Sequence, residues 1–170
     1  TGSSAEPVIN EQYSYGNADI TQVSKITYGD GSVSNYSYDS CGNITRITGK
    51  ENVKYTYDAL NRLVREDNAA LNKSYTYSYD AGGNITAKKV YAYTMGTLKA
   101  PTQTINYVYG DAGWKDKLTS WNGKSITYDE SGNPLSYKGG ALTWDERNRL
   151  KSSRNSTAYV EYTYAQDGKP

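Results

Sequence analysis

The chain has 170 residues, 19 basic and 18 acidic, with no histidine and a single cysteine. That balance gives no basic excess for a nucleic acid or polyanion to bind. It also removes the commonest general base and metal ligand, and it excludes an internal disulfide at Cys41. Ile, Leu and Val number eight each and Phe is absent, so 19 Tyr and 3 Trp must supply the burial.

In chain order, residues 1–12 come first. The run Thr1-Gly2-Ser3-Ser4-Ala5-Glu6-Pro7 has no charged leader and no apolar stretch of signal-peptide type, and reads as a flexible lead-in. No apolar run reaches the ~18–20 residues that span a bilayer.

From residue 13 onward a single template recurs. The clear copies are Tyr36-Ser-Tyr38-Asp39-Ser-Cys-Gly42-Asn-Ile44, Tyr55-Thr-Tyr57-Asp58-Ala-Leu-Asn61-Arg-Leu63 and Tyr77-Ser-Tyr79-Asp80-Ala-Gly-Gly83-Asn-Ile85. Ile126-Thr-Tyr128-Asp129-Glu-Ser-Gly132-Asn-Pro134 and Leu142-Thr-Trp144-Asp145-Glu-Arg-Asn148-Arg-Leu150 follow it too. Weaker copies begin at Tyr13, Tyr107 and Tyr162, the last two ending on Tyr109 and Tyr164. The aromatics that precede each turn are spaced 23, 19, 22, 30, 19, 16 and 20 residues apart, a loose period near 20. The 30-residue gap coincides with residues 95–104, which read as an extended loop.

Each part of the template has a physical reading. Tyr-x-Tyr puts two aromatics on one face of a strand, because side chains alternate with period two. Asp-x-x-Gly/Asn is a tight turn. Asp favours the first position of a type I turn, and Gly or Asn tolerates the left-handed residue that closes it. Ile44, Leu63, Ile85 and Leu150 then open the return strand, with Pro134 marking a strand start or an edge. The fold class is therefore all-β: an array of antiparallel hairpins over residues 13–168, forming one domain with a continuous twisted or spiral sheet. A lone hairpin is marginal in water, so neighbours must stack.

Candidate residues follow from the template. The repeat-core aromatics are Tyr36, Tyr38, Tyr55, Tyr57, Tyr77, Tyr79, Tyr107, Tyr109, Tyr128, Trp144, Tyr162 and Tyr164. The turn residues are Asp39 with Gly42, Asp58 with Asn61, Asp80 with Gly83, Asp129 with Gly132, and Asp145 with Asn148. Trp114 and Trp121 lie outside the template and are candidates for glycan contact, since sugars stack on aromatic faces. Each turn offers one Asp, which suits turn capping and not a calcium site. No nucleophile–base constellation is present, so no catalytic, metal or cofactor residue is assigned and no enzyme is expected.

The run Tyr-Ser-Tyr-Asp-x-x-Gly-Asn-Ile-Thr resembles the tyrosine–aspartate (YD) repeat of Rhs proteins and bacterial wall-associated proteins. Residues 109–150 are similar to the last repeats of Rhs-type proteins from Gram-positive bacteria. The resemblance implies a hairpin sheet wound into a shell, which in polymorphic toxins encloses a C-terminal toxin domain. It implies a structural segment of a large secreted or cell-surface bacterial protein. The expected partners are flanking repeats, an enclosed toxin domain and other copies meeting at open sheet edges, with no nucleic acid and no membrane span. The alternative is an adhesive module that binds cell-wall glycans or a receptor through its aromatics. The family's shell often ends in a plug with a self-cleaving aspartyl site. No such segment is seen up to Pro170, and no family catalytic residue carries over.

Overall fold

The computed structural model describes residues 10–16 and 21–165. Most of the lead-in, the turn after Tyr15, and the end of the array past residue 165 lie outside the described residues. Among those described there are fifteen strands and no helix. Every strand pairs with its neighbour in the sequence, in an order running openly from β1 to β11, with a second sheet of β12 to β15. The fold is thus all-β and built of antiparallel hairpins.

The strands are β1 Gln12–Tyr15, β2 Val23–Thr27, β3 Val33–Tyr38, β4 Ile44–Gly49, β5 Val53–Tyr57, β6 Leu63–Asn68, β7 Lys73–Tyr79 and β8 Ile85–Ala92. They continue as β9 Gln103–Val108, β10 Ser120–Trp121, β11 Lys124–Ser125, β12 Ser136–Tyr137, β13 Gly140–Trp144, β14 Leu150–Arg154 and β15 Tyr159–Glu161. The chain packs as two compact units: Thr1–Tyr77 with Lys89–Gln103, and Ser78–Lys88 with Thr104–Pro170.

In the first unit the register sorts side chains onto two faces. Ile47 lies opposite Tyr36 on one side and Val53 on the other, and Tyr55 lies opposite Glu66. This is the aromatic and aliphatic face. Arg46, Lys54, Asp67 and Ser74 pair in a row across β4 to β7, which makes the opposite face polar. The reason is the pleat: Tyr and its Ser or Thr neighbour must point to opposite sides. The least exposed apolar side chains are aliphatic, with Val53 and Val90 at 5% and Ile47 at 8%, joined by Tyr91 at 9%. The Tyr-x-Tyr rings at 36, 38, 55, 57 and 77 are half-buried, whereas Tyr13 and Tyr15 are exposed.

The insertion occupies residues 93–102, since β9 already begins at Gln103. It returns onto the polar face. Ser74 Oγ donates to the Thr94 carbonyl at 3.1 Å, and the Thr94 N–H donates back to Ser74 Oγ at 3.1 Å. Arg65 donates through Nη2 to the carbonyls of Thr94 and Gly96, and through Nε to Asp67 at 2.8 Å. Asp67 is 2% exposed, so this guanidinium neutralises a buried carboxylate and clamps the loop together.

In the second unit Ile126 is buried. The segment 126–128, which the template marks as a strand, makes only an isolated bridge between Tyr128 and Pro134. Two backbone bonds flank that bridge, from the Asp129 N–H to the Asn133 carbonyl and from the Leu135 N–H to the Thr127 carbonyl, and neither needs an N–H from Pro134. Side chains take over: the Thr127 N–H donates to Ser136 Oγ, whose hydroxyl donates to the Ser125 carbonyl. Tyr162 and Tyr164 likewise lie past the end of β15, outside a strand.

Candidate functional site

The repeated turn is the most specific constellation in the molecule. In all five full copies the Asp N–H donates to the carbonyl four residues on, and the residue three along donates back to the Asp carbonyl. Gly42, Asn61, Gly83, Gly132 and Asn148 close these turns with φ of 85°, 58°, 93°, 84° and 58°. The ladder slips by one residue just before the turn, between Ser37 and Tyr38, Thr56 and Tyr57, and Thr143 and Trp144. A type I turn followed by a left-handed residue gives this bulge and adds twist.

The Asp carboxylate organises the bulge. Oδ1 of Asp39 accepts the N–H groups of Cys41 and Asn43, both at 2.9 Å, and Oδ2 accepts Asn43 Nδ2 at 3.0 Å. Asp129 repeats the pattern with Ser131 and Asn133. Asp58 and Asp145 replace the amide with Arg62 Nε at 2.8 Å and Arg149 Nε at 2.7 Å. Donors aimed at the ionised form lower its pKa. The Asn43 side chain and N–H hold Asp39 below the ordinary carboxylate value, as the Asn133 pair does for Asp129. For Asp58, Asp80 and Asp145 the leading cause is the backbone N–H of Arg62, Asn84 and Arg149. This fifth turn position, Asn or Arg, was not singled out from the sequence. Its recurrence in every copy was the available signal.

In six repeats the second aromatic is tied to the repeat before. Tyr38 Oη donates to the Val23 carbonyl at 2.7 Å, Tyr57 Oη to Ile44 at 2.9 Å and Tyr109 Oη to Ile85 at 3.2 Å. Tyr128 reaches Leu118 at 2.7 Å, Trp144 Nε1 reaches Pro134 at 2.8 Å and Tyr164 reaches Leu150 at 2.8 Å. In four of these six the acceptor opens the preceding return strand, and in every case it precedes the aromatic in sequence. The apolar exit residue therefore serves twice, through its side chain in packing and through its carbonyl as acceptor. A Tyr or Trp is required at these positions because Phe has no donor. Burial pushes the Tyr57, Tyr109 and Tyr128 hydroxyls above their ordinary pKa.

The first-position rings Tyr36, Tyr55, Tyr77, Tyr107 and Tyr162 are half-buried like their partners, as is Tyr79. Burial raises the pKa of Tyr36 and Tyr55. Trp114 is 58% exposed on the segment capped by Asp111, whose Oδ1 accepts its N–H at 2.8 Å. Trp121 is half-buried, with Tyr137 at 6.3 Å between ring centroids and Lys138 Nζ 5.2 Å above its ring. The two indoles make no ring contact with each other among the described residues. An apolar hollow of about 320 Å³ in the second unit is lined by Leu118, Ile126, Tyr128, Leu142 and Trp144, so it belongs to the repeat interior. Among the described residues no group of His, Cys, Asp or Glu is arranged to hold a metal ion.

The family model described as RHS Repeat matches residues 57–93. This stretch runs from the end of β5 through β8 to Tyr93. No curated protein matches the chain. Among solved structures, the chain is similar to the Photorhabdus luminescens Tc holotoxin pore carrying a TccC3 mutation. The identity is 20% and the TM-score 0.68, over 93% of this chain and 10% of that one. It is similar at 19% identity and a TM-score of 0.70 to TcdB2-TccC3 without its hypervariable C-terminal region, again over 93% of this chain and 10% of that one. The chain spans about a tenth of the length of these solved chains. At such identity the likeness is one of fold.

Proposed function

We propose that this chain is a non-catalytic wall segment of a large secreted or cell-surface bacterial protein, built around or beside a C-terminal toxin-type cargo. The observation that carries the reading is the hydroxyl tie. Six repeats spend the hydroxyl or indole N–H of their second aromatic on the backbone of the repeat before. A side chain committed to its neighbour builds an extended sheet and is not presented to a ligand. The fold likeness to Tc toxin components supports an enclosed or adjacent toxin as the partner. In this reading residues 13–168 act as one array, the Tyr-x-Tyr and Asp-turn residues are its structural unit, and flanking repeats extend it.

The test uses the parent protein. Limited proteolysis of the intact parent is expected to spare the segment downstream of the repeats, and opening the repeat sheet with denaturant is expected to expose it. Equal cleavage of that segment before and after opening would refute the container. A second reading is favoured by Trp114, the most exposed of the three tryptophans: an adhesive module for cell-wall glycans. Retention on peptidoglycan or teichoic acid that is lost in Trp114→Ala but kept in Trp121→Ala would support it. Absence of retention leaves the wall.

A further inference from the structure

The five Asp turns fall into two kinds. In one, positions four and five are Gly-Asn: Gly42-Asn43, Gly83-Asn84 and Gly132-Asn133. In the other they are Asn-Arg: Asn61-Arg62 and Asn148-Arg149. Both kinds satisfy their own Asp Oδ2, one through the Asn amide and the other through Arg Nε. They differ in what remains. A carboxamide NH2 has two hydrogens, and the Gly-Asn turn uses only one of them on its own Asp.

The second hydrogen crosses to the next turn. Asn43 Nδ2 donates to Asn61 Oδ1 at 3.0 Å, and Asn133 Nδ2 donates to Asn148 Oδ1 at 2.8 Å. The acceptor each time is the left-handed asparagine of an Asn-Arg turn, with φ of 58°. Where no Asn-Arg turn follows, after Asp80–Asn84, the chain supplies Asp116 Oδ1 at 2.9 Å from Asn84 Nδ2. An acceptor-only carboxylate in that place shows what the position needs. The Asn43 contact lies within the first unit and the other two within the second.

We infer that these amide contacts form an ordering code in which a Gly-Asn turn is the donor half and the turn that follows is the acceptor half. Hairpins are thereby registered in ordered pairs. The direction follows from position. Residue five of the turn immediately precedes the return strand, which pairs with the first strand of the next hairpin, as β4 does with β5. Its amide therefore faces forward along the array. This also explains why Asn occupies the left-handed site at 61 and 148, where Gly would be conformationally freer: Gly has no acceptor. The inference goes beyond the wall reading and stands without it, because it concerns which hairpin follows which.

The test is a double-mutant cycle on the whole chain, with Asn43→Ser, Asn61→Gly and the pair, read by urea unfolding. The cycle cancels the conformational gain of Gly at position 61 and leaves the coupling. A coupling of about three- to ten-fold in the unfolding constant is expected, the range for one net hydrogen bond. Asn61→Asp, which keeps an acceptor, is expected to retain it. Exchanging the two dipeptides (G42N and N43R with N61G and R62N) preserves both kinds of turn but reverses their order, and is expected to raise the unfolding constant by a similar factor. Coupling below two-fold, or an exchanged chain as stable as the parent, overturns the inference. The same cycle at Asn133 and Asn148 gives an independent reading if the first set fails to fold. Slow exchange of the Asn43 amide protons, lost in Asn61→Gly, reports the bond in the native state directly.

Discussion

Tyr57→Phe removes one hydroxyl and leaves the ring of the second repeat aromatic in place. The lost bond runs 2.9 Å from Tyr57 Oη to the Ile44 carbonyl, at a half-buried position. A net intramolecular hydrogen bond contributes about 0.5–1.5 kcal/mol, and water can reach a half-buried carbonyl, so the expected loss is about 1 kcal/mol. With a urea slope of about 2 kcal/mol per molar, the midpoint should fall by about 0.5 M at unchanged slope. In a thermal scan that corresponds to about 2–4 °C for a chain of this size. The control is Tyr55→Phe, whose hydroxyl has no hydrogen-bond partner among the described residues. Both variants change the hydration of the unfolded chain equally, so their difference isolates the tie. Circular dichroism at 217 nm follows the sheet in either case. Equal midpoints for Tyr57→Phe and Tyr55→Phe would refute the claim that the second aromatic is selected for its hydroxyl.

Four further outcomes follow. The five turn carboxylates are held below their ordinary value, so their stabilisation is complete above about pH 4 and is lost as pH falls through the lower folded values. Urea midpoints should drop below that pH, less so in Asp39→Asn. Burial raises Tyr57, Tyr109 and Tyr128, so their stabilisation is complete below about pH 10 and is lost as pH rises through the higher folded values, which a phenolate absorbance titration will follow. Arg65→Met strands the buried Asp67 carboxylate and releases the Thr94 and Gly96 carbonyls. A loss of about 3–5 kcal/mol is expected, with faster proteolysis at residues 93–102, partly relieved by adding Asp67→Leu. Gly49→Ala would place a Cβ 2.1 Å from the Val33 carbonyl oxygen at φ 110°, whereas Gly31→Ala at φ 80° meets nothing within 4 Å. The first should prevent a stable fold and the second should cost about 1–2 kcal/mol by calorimetry.

The template was legible because each of its parts answers to a local rule. Tyr-x-Tyr follows the pleat, and Asp-x-x-Gly/Asn follows turn stereochemistry. Both act over a few residues, so Asp39–Gly42 and Asp145–Asn148 could be placed without knowing any partner. Segment 126–128 misled the template reading because the Thr127 N–H turns to Ser136 Oγ while the Leu135 carbonyl accepts from Leu142, so the ladder stops at one bridge. Residues 103 and 104 belong to β9 and not to the insertion, a boundary that depends on pairing with another strand.

In the ties between repeats the partner of the Tyr hydroxyl lies 10 to 24 residues back, a spacing that varies with the insertions between repeats. No local rule finds such a contact. Arg65 is ordinary in sequence, yet it holds a loop about 30 residues away because the sheet brings Asp67, Ser74 and Thr94 to one face. By itself, then, the sequence determined the hairpin: its aromatic face, its Asp-centred bend and its period, all consequences of short-range sterics and hydrogen bonding. Only the tertiary structure decided what the Tyr hydroxyls and the spare asparagine hydrogens do, because a bond between repeats exists only after the strands have paired.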